Sequence, residues 1–166
     1  MSLILDAETK ASEQPEDHGD ELRLWLRLLT CTTLVEGEIR RKLRERFGVT
    51  LPRFDLMAQL DKVPEGMTLS AVSKRMMVSN GNVTGLVDRL VESGHLGRRT
   101  SHSDRRVQVI WLTKQGREEF RKMASEHANW ISQLFAGLTE KEMKELMRLS
   151  ARAKFSINKA SKPAPE

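Results

Sequence analysis

Apolar residues recur along this chain with two different periods, and the period sets the elements it predicts. Leu22, Trp25, Leu26, Leu29, Leu43 and Phe47 keep helical spacing, and Gly48 supplies the stop, so one long helix is expected from about Glu21 to Phe47. Pro52 sits in a first-turn position ahead of Phe54, Met57 and Leu60, which mark a shorter helix. A loop, "KVPEG", and a short helix at about Leu69 to Met76 follow. Val83, Leu86, Val87, Leu90 and Val91 then fall at i, i+3, i+4, i+7 and i+8, with Gly94 placed to end that helix in a left-handed turn. Here the period changes. "HLGRRT" and "RVQVIWL" are short β-type runs flanking the polar "SHSDR", the pattern of a hairpin.

Helical spacing resumes after Thr113, an N-cap, with Phe120, Met123, Ala124, His127, Ile131, Leu134 and Leu138 striping a long helix to about Gly137. A last helix opens at Thr139, where Glu142 completes a capping box, and carries Met143, Leu146 and Met147. The expected fold is mainly α with a two-stranded β-wing: a helix-turn-helix and hairpin between long apolar helices. Residues 1–20 form a flexible acidic segment, 21–52 an N-terminal dimerisation helix, 53–112 the helix-turn-helix lobe, 113–157 C-terminal dimerisation helices and 158–166 a disordered tail. The long helices carry more apolar face than so small a central lobe can cover, so the excess is expected to bury against a second copy of the chain.

The helix of Val83 to Val91 starts oddly. Its first turn reads Ser79-Asn80-Gly81-Asn82, residues that weaken helices, Gly by about 1 kcal/mol. Either this is only a capped surface turn or it is shaped for another molecule, and the residues around it favour the second. With Ser79 as N-cap, the second helix of a helix-turn-helix points its N-terminus into the DNA major groove. Asn80 and Asn82 carry the amide that pairs bidentately with adenine or reaches phosphate. Gly81 removes a side chain where backbone and DNA approach, and the Thr84 methyl suits a thymine methyl. Lys74 and Arg75, on the preceding helix, are expected at backbone phosphates, and Arg89 lies further along the reading helix. At the hairpin tip Asp104, Arg105 and Arg106 complete the set. A wing arginine enters the adjacent minor groove, and Asp104, which phosphate repels, holds a neighbouring arginine in pose.

Charge agrees. The net +5 is unevenly spread: residues 1–21 hold one lysine against seven acids, so the remainder is +11. Residues 70–106 carry seven Lys/Arg against three acids, and 39–46, "IRRKLRER", carry another +4. Concentrated basic excess points to a polyanionic partner, although a solvated helix face explains 39–46 equally well. No apolar run reaches the roughly 18–20 residues of a membrane span, and the N-terminus lacks the basic start and apolar stretch of a secretory signal. A cytoplasmic protein without membrane contact is expected. The single cysteine, Cys31, leaves no disulfide framework.

The segments "LSAVSKRMMVSNGNVTGLVDRLVESGHLGRR" and "SDRRVQVIWLTKQG" resemble the MarR family of winged helix-turn-helix regulators, and the likeness extends over roughly Glu21 to Lys154. The resemblance implies a homodimer joined through its first and last helices, with two reading helices in successive major grooves of palindromic double-stranded DNA. It makes Arg106 the wing arginine and Asp104 its partner, puts Asn80, Asn82 and Thr84 on the base-facing turn, and leaves Arg105 at the variable position between. It also implies a repressor released by a small, often aromatic, effector in a pocket lined by the first, second and fifth helices. Trp25, Leu29, Thr32, Phe54, Met57, His127 and Trp130 are the pocket candidates, each of which serves equally as core or dimer packing. Arg40 and Arg44, one helical turn apart, either hold an anionic effector such as an aromatic carboxylate or acyl-CoA thioester or merely solvate their face.

Three rival readings stand beside this one. Some relatives sense oxidants through a cysteine in the first helix, but this chain has no Tyr to partner Cys31, which reads as a buried small side chain. A sequence-indifferent DNA-packaging protein would need the basic charge but neither the Asp-x-Arg wing nor the asparagine-bearing turn. An enzyme is not expected: there is no phosphate loop, nucleophile elbow or His-Glu-x-x-His, and His18, His95, His102 and His127 lack ligand spacing for a metal. No cofactor is implied.

Overall fold

The computed structural model describes residues 19–100 and 107–161. Helix α1 runs Asp20–Phe47, α2 Leu51–Asp61, β1 Met67–Thr68, α3 Leu69–Met76, α4 Asn80–Glu92, β2 Leu96–Thr100, β3 Gln108–Leu112, α5 Lys114–Leu134 and α6 Glu140–Ala160. The expected mainly α fold with a β-wing is the fold observed. The sheet is a correction: it has three antiparallel strands in the order β1-β3-β2 where two were expected. The third is only two residues long, too short for a period, and exists because Met67 pairs with Ile110 and Thr68 with Val109. In the hairpin proper Leu96 faces Leu112 and Thr100 faces Gln108.

Helix ends follow from local chemistry. Gly48 closes α1 in a left-handed conformation at φ 64°, its N–H reaching the Arg44 carbonyl at 3.0 Å. Thr68 caps α3 by accepting from the Ala71 N–H at 3.2 Å, and Thr113 caps α5 through the Gly116 N–H at 3.0 Å. At α6 the Thr139 hydroxyl accepts from the Glu142 N–H while the Glu142 carboxylate accepts from the Thr139 N–H, the reciprocal box expected. Two boundaries move. α5 stops at Leu134, short of Gly137, and α6 runs to Ala160, three residues into the stretch expected to be tail.

The chain divides into two compact units, Met1–Asn129 and Trp130–Glu166. In the first, Leu43 of α1, Leu56, Met57 and Leu60 of α2, Val72 of α3, Val83, Val87 and Leu90 of α4, Ile110 of β3 and Met123 of α5 are buried together as the core. The part of α1 up to Leu34 contributes little to it: Leu22, Leu24, Trp25 and Leu34 are exposed. Cys31 is exposed too, against the expectation that it is buried. Its neighbour Thr30 takes the inward position instead, and one helical residue turns the next by about 100°. In the second unit α6 has no buried residue at all.

Candidate nucleic-acid interface

The connection between α3 and α4 is a tight turn with an unusual residue at its apex. Met77 adopts the left-handed conformation at φ 56°, which a β-carbon disfavours, and its side chain is 93 % exposed. The turn is held from inside by Ser73, a buried residue whose hydroxyl donates to the Val78 carbonyl at 2.5 Å. Ser79 then caps α4, its hydroxyl accepting from the Asn82 N–H at 3.4 Å. The remaining first-turn N–H groups have no partner within the helix and point out of its end.

The two faces of α4 are sharply sorted. Val83, Val87 and Leu90 are buried, whereas Asn80, Gly81, Asn82, Thr84, Gly85 and Arg89 are exposed. The Thr84 hydroxyl donates to the Asn80 carbonyl at 2.9 Å, so its donor is spent inside the helix and its methyl and an acceptor lone pair are left to offer. Lys74 and Arg75 are exposed on the last turn of α3. Seven of the ten expected DNA-facing residues therefore lie on two adjoining helices with solvent before them. The other three, Asp104, Arg105 and Arg106, fall outside the described residues.

The base of the wing is tied to α4. Arg98 of β2 donates to Asp88 of α4 at 2.6 Å, and the Arg99 guanidinium lies 5.4 Å from the Trp111 ring centroid on the neighbouring strand. Gly97 faces Trp111 so closely that a β-carbon there would sit 2.3 Å from the indole ring. Below the hairpin, His95 bridges the Ser93 hydroxyl (2.6 Å at Nδ1) and the Glu119 carboxylate at Nε2, joining the end of α4 to α5. Ser73, Asp88, Arg98 and His95 hold α4 in place, and the sequence pattern alone marked none of them for that role.

The expected effector residues sit in several different surroundings. Phe54 is buried with ring centroids 5.5 Å from Phe120 and 4.8 Å from His127, a packed stack; burial lowers the His127 pKa below its ordinary value. Leu29 is half-buried, while Trp25 and Thr32 are exposed, the Thr32 hydroxyl donating to the Leu28 and Leu29 carbonyls. Met57 lines a small cavity of about 160 Å³ with Arg53, His95 and Glu119, and Trp130 belongs to the second unit. Arg40 and Arg44 lie elsewhere. They line a cleft of about 640 Å³ whose opposite wall is α4, with Arg89, Gly81 and Asn82 among its residues. Arg40 is paired with Glu36, and close by the half-buried Asp55 carboxyl is held above its usual pKa, first by burial and then by Glu36. Among the described residues no group of three His, Cys, Asp or Glu is arranged to hold a metal ion, and no helix is long and apolar enough to cross a membrane.

Comparison with known proteins gives a consistent result. The sequence model of the MarR family matches residues 49–107, from the end of α1 to the start of β3. The transcriptional activatory protein BadR of Rhodopseudomonas palustris is 30 % identical over 118 residues, 69 % of this chain and 67 % of that protein. A MarR family transcriptional regulator from Silicibacter pomeroyi superposes with a TM-score of 0.72 at 30 % identity, covering 84 % of this chain and 99 % of that one. FabT of Streptococcus pneumoniae, solved in complex with DNA, superposes with a TM-score of 0.71 at 26 % identity, covering 86 % of this chain and all (100 %) of that one.

Proposed function

Starting from the premise that this chain belongs to the MarR family of DNA-binding transcriptional regulators, we propose that it is a homodimeric, sequence-specific repressor that reads a palindromic operator and is released by a small anionic effector. The observation that carries the reading is the sorting of α4: a capped, asparagine-bearing first turn in solvent, backed by three valine and leucine side chains sealed into the core. A packaging protein needs no such turn, since phosphate contacts alone supply sequence-independent binding.

In this reading Ser79 fixes the helix end against the groove, Asn80 and Asn82 read base edges, and the Thr84 methyl contacts thymine. Lys74 and Arg75 set the register on phosphates, and Arg106, held by Asp104, enters the minor groove. The exposed apolar residues of α1 (Leu22, Leu24, Trp25, Leu34) and α6 (Leu146, Met147, Phe155, Ile157) support the dimer, because a second copy would cover them. Two reading helices then meet half-sites about one DNA turn, ~34 Å, apart. The effector reading draws support from the cleft at Arg40 and Arg44, which offers cationic groups over an apolar floor.

Selection of duplexes from a randomised pool, followed by footprinting, tests the proposal. The expected result is one palindromic motif protected over two half-sites about ten base pairs apart by a species of twice the chain mass in sedimentation. Recovery of no motif, with uniform affinity for every duplex, leaves the packaging reading instead. Transcription from a promoter that overlaps the motif decides the sign, since BadR is named an activatory protein: repression lowers the transcript and activation raises it.

A further inference from the structure

We infer that His95 is a positioning residue for DNA reading that acts with a proton on each ring nitrogen, so that operator preference follows the proton count of this one imidazole. The inference rests on the reading of α4 as the DNA-reading helix and adds a control on that helix that needs no small-molecule effector.

His95 sits at the corner between the two elements that must enter DNA together: α4 ends at Glu92 and the wing strand β2 starts at Leu96. Its backbone is pinned there. The His95 N–H donates to the Leu90 carbonyl at 2.9 Å, and the His95 carbonyl accepts from the Thr113 N–H at 3.0 Å. The start of α5 closes over that carbonyl so tightly that a β-carbon at Gly116 would lie 2.0 Å from it. The side chain then fastens the corner to its neighbours. Nδ1 lies 2.6 Å from the Ser93 hydroxyl, and Nε2 meets the Glu119 carboxylate of α5. Only 14 % of the His95 side chain is exposed, so water is a poor replacement for a partner it loses.

Counting hydrogens fixes the state of the ring. A serine hydroxyl has one hydrogen to give and two lone pairs to accept with. The Ser93 hydrogen goes to the Leu90 carbonyl at 3.2 Å, where it caps the last turn of α4. One lone pair accepts from Nη2 of Arg53, on α2, at 3.5 Å. The other faces Nδ1, which therefore donates. Nε2 faces a carboxylate oxygen and donates as well. Both donations together require the imidazolium. The charged groups that face the ring across its small cavity are Glu119 from α5 and Arg53 from α2, of opposite sign, while the end of α1 brings Phe47, Gly48 and Val49, none of which titrates.

Loss of the proton to solvent breaks this set. A neutral ring keeps one N–H. Retained at Nε2 for Glu119, it leaves Nδ1 an acceptor that takes the Ser93 hydrogen away from the Leu90 carbonyl. Retained at Nδ1 for Ser93, it sets the Nε2 lone pair against the carboxylate. In both cases a bond is lost at the corner where reading helix and wing meet. Base reading needs that corner fixed, whereas phosphate contacts on random DNA tolerate slack. Preference for operator over random duplex is thus greatest at low pH and declines as the ring gives up its proton.

The test follows the ring and the operator together from about pH 5.5 to 8.5, the span in which histidines change charge, at fixed ionic strength. Long-range nitrogen-15 spectra of the DNA-free protein, with His95 assigned by its loss in His95→Gln, report the ring; fluorescence anisotropy reports affinity for a selected operator and for random duplex. Expected are two protonated ring nitrogens at the acid end and one at the alkaline end, with operator preference falling about 2- to 10-fold across the range, the worth of one hydrogen bond. His95→Gln offers an amide to Glu119 but has no proton to lose, and its preference is expected to be flat. That protein keeps His18, His102 and His127, so a slope that survives belongs to them and overturns the proposal. Ser93→Ala leaves the ring free to titrate and is expected to lose most of the slope; a full slope there overturns the relay through Ser93. A His95 that holds one state throughout is a fixed strut, and a flat wild-type preference while the ring titrates cuts the link to DNA; each overturns the inference. A pool that yields no motif sinks the regulator reading itself, and the ring spectrum still decides whether the proton-dependent tie exists.

Discussion

Helices α4 and α6 are built to the same recipe and end in opposite circumstances. Each has a hydroxyl N-cap and an apolar stripe at helical spacing. Yet Val83, Val87 and Leu90 of α4 are 0, 0 and 1 % exposed, whereas Met147, Phe155 and Ile157 of α6 are 60, 73 and 61 % exposed. An isolated amphipathic helix draws most of its stability from what its apolar face packs on. α4 has that partner within its own unit, which leaves its other face free to carry asparagines and a glycine that cost helix stability. α6 has no buried residue among the described residues, and a second copy is the cover we propose. The exposed face of α4 is thus locally weak and globally supported, and α6 is the reverse.

The most severe way to break this comparison is to remove the support of α4. Leu90→Ala is expected to cost about 2–5 kcal/mol in urea unfolding, because the site is fully enclosed. The matching change in α6, Met147→Ala, is expected to leave the unfolding of the first unit unmoved and to appear only as a weaker dimer in sedimentation. Equal losses from both would erase the distinction. Next in size is Gly97→Ala, at about 1–3 kcal/mol, since the added methyl must displace the Trp111 ring or the strand that carries it. Loss of the cap by Ser79→Ala is expected to cost about 1 kcal/mol of stability and to weaken DNA binding with it.

The smallest expected effect is a pH dependence. His127 packs on Phe54 with its pKa lowered by burial, so the unfolded chain takes up the proton more readily than the folded one. Its contribution is complete above the ordinary value of 6.5 and is lost as pH falls from there through the lowered pKa. His127→Phe, which keeps a ring on Phe54, should flatten that part of the thermal-stability profile; an unchanged slope would mean the proton is taken up elsewhere.

Much of this architecture was legible because period and punctuation agree. Five apolar residues from Val83 to Val91, Ser79 before them and Gly94 after them define α4 without any tertiary information. The exposed turn was legible for the opposite reason, as the one place where local propensity and helical pattern conflict. What could not be read depends on distant pairing. β1 is two residues long and pairs only with β3 among the described strands, and Cys31 faces outward while its neighbour Thr30 is turned inward. The cleft was half legible: the spacing of Arg40 and Arg44 marked a cationic face, but only the fold brings Arg89 and Asn82 to the wall across from it. Of the rings expected at a pocket, Phe54 and His127 pack on each other while Trp25 is exposed, since ring size alone does not distinguish a lining from a core.

The measurement closest to the centre of the account compares selected operator with random duplex for wild-type and Asn82→Ala protein. If the first turn of α4 reads bases, operator affinity falls about 5- to 150-fold, the 1–3 kcal/mol of one bidentate pair, while affinity for random duplex stays within a factor of two. An equal fall on both duplexes would mean that Asn82 touches only the backbone, and that α4 does not read sequence there.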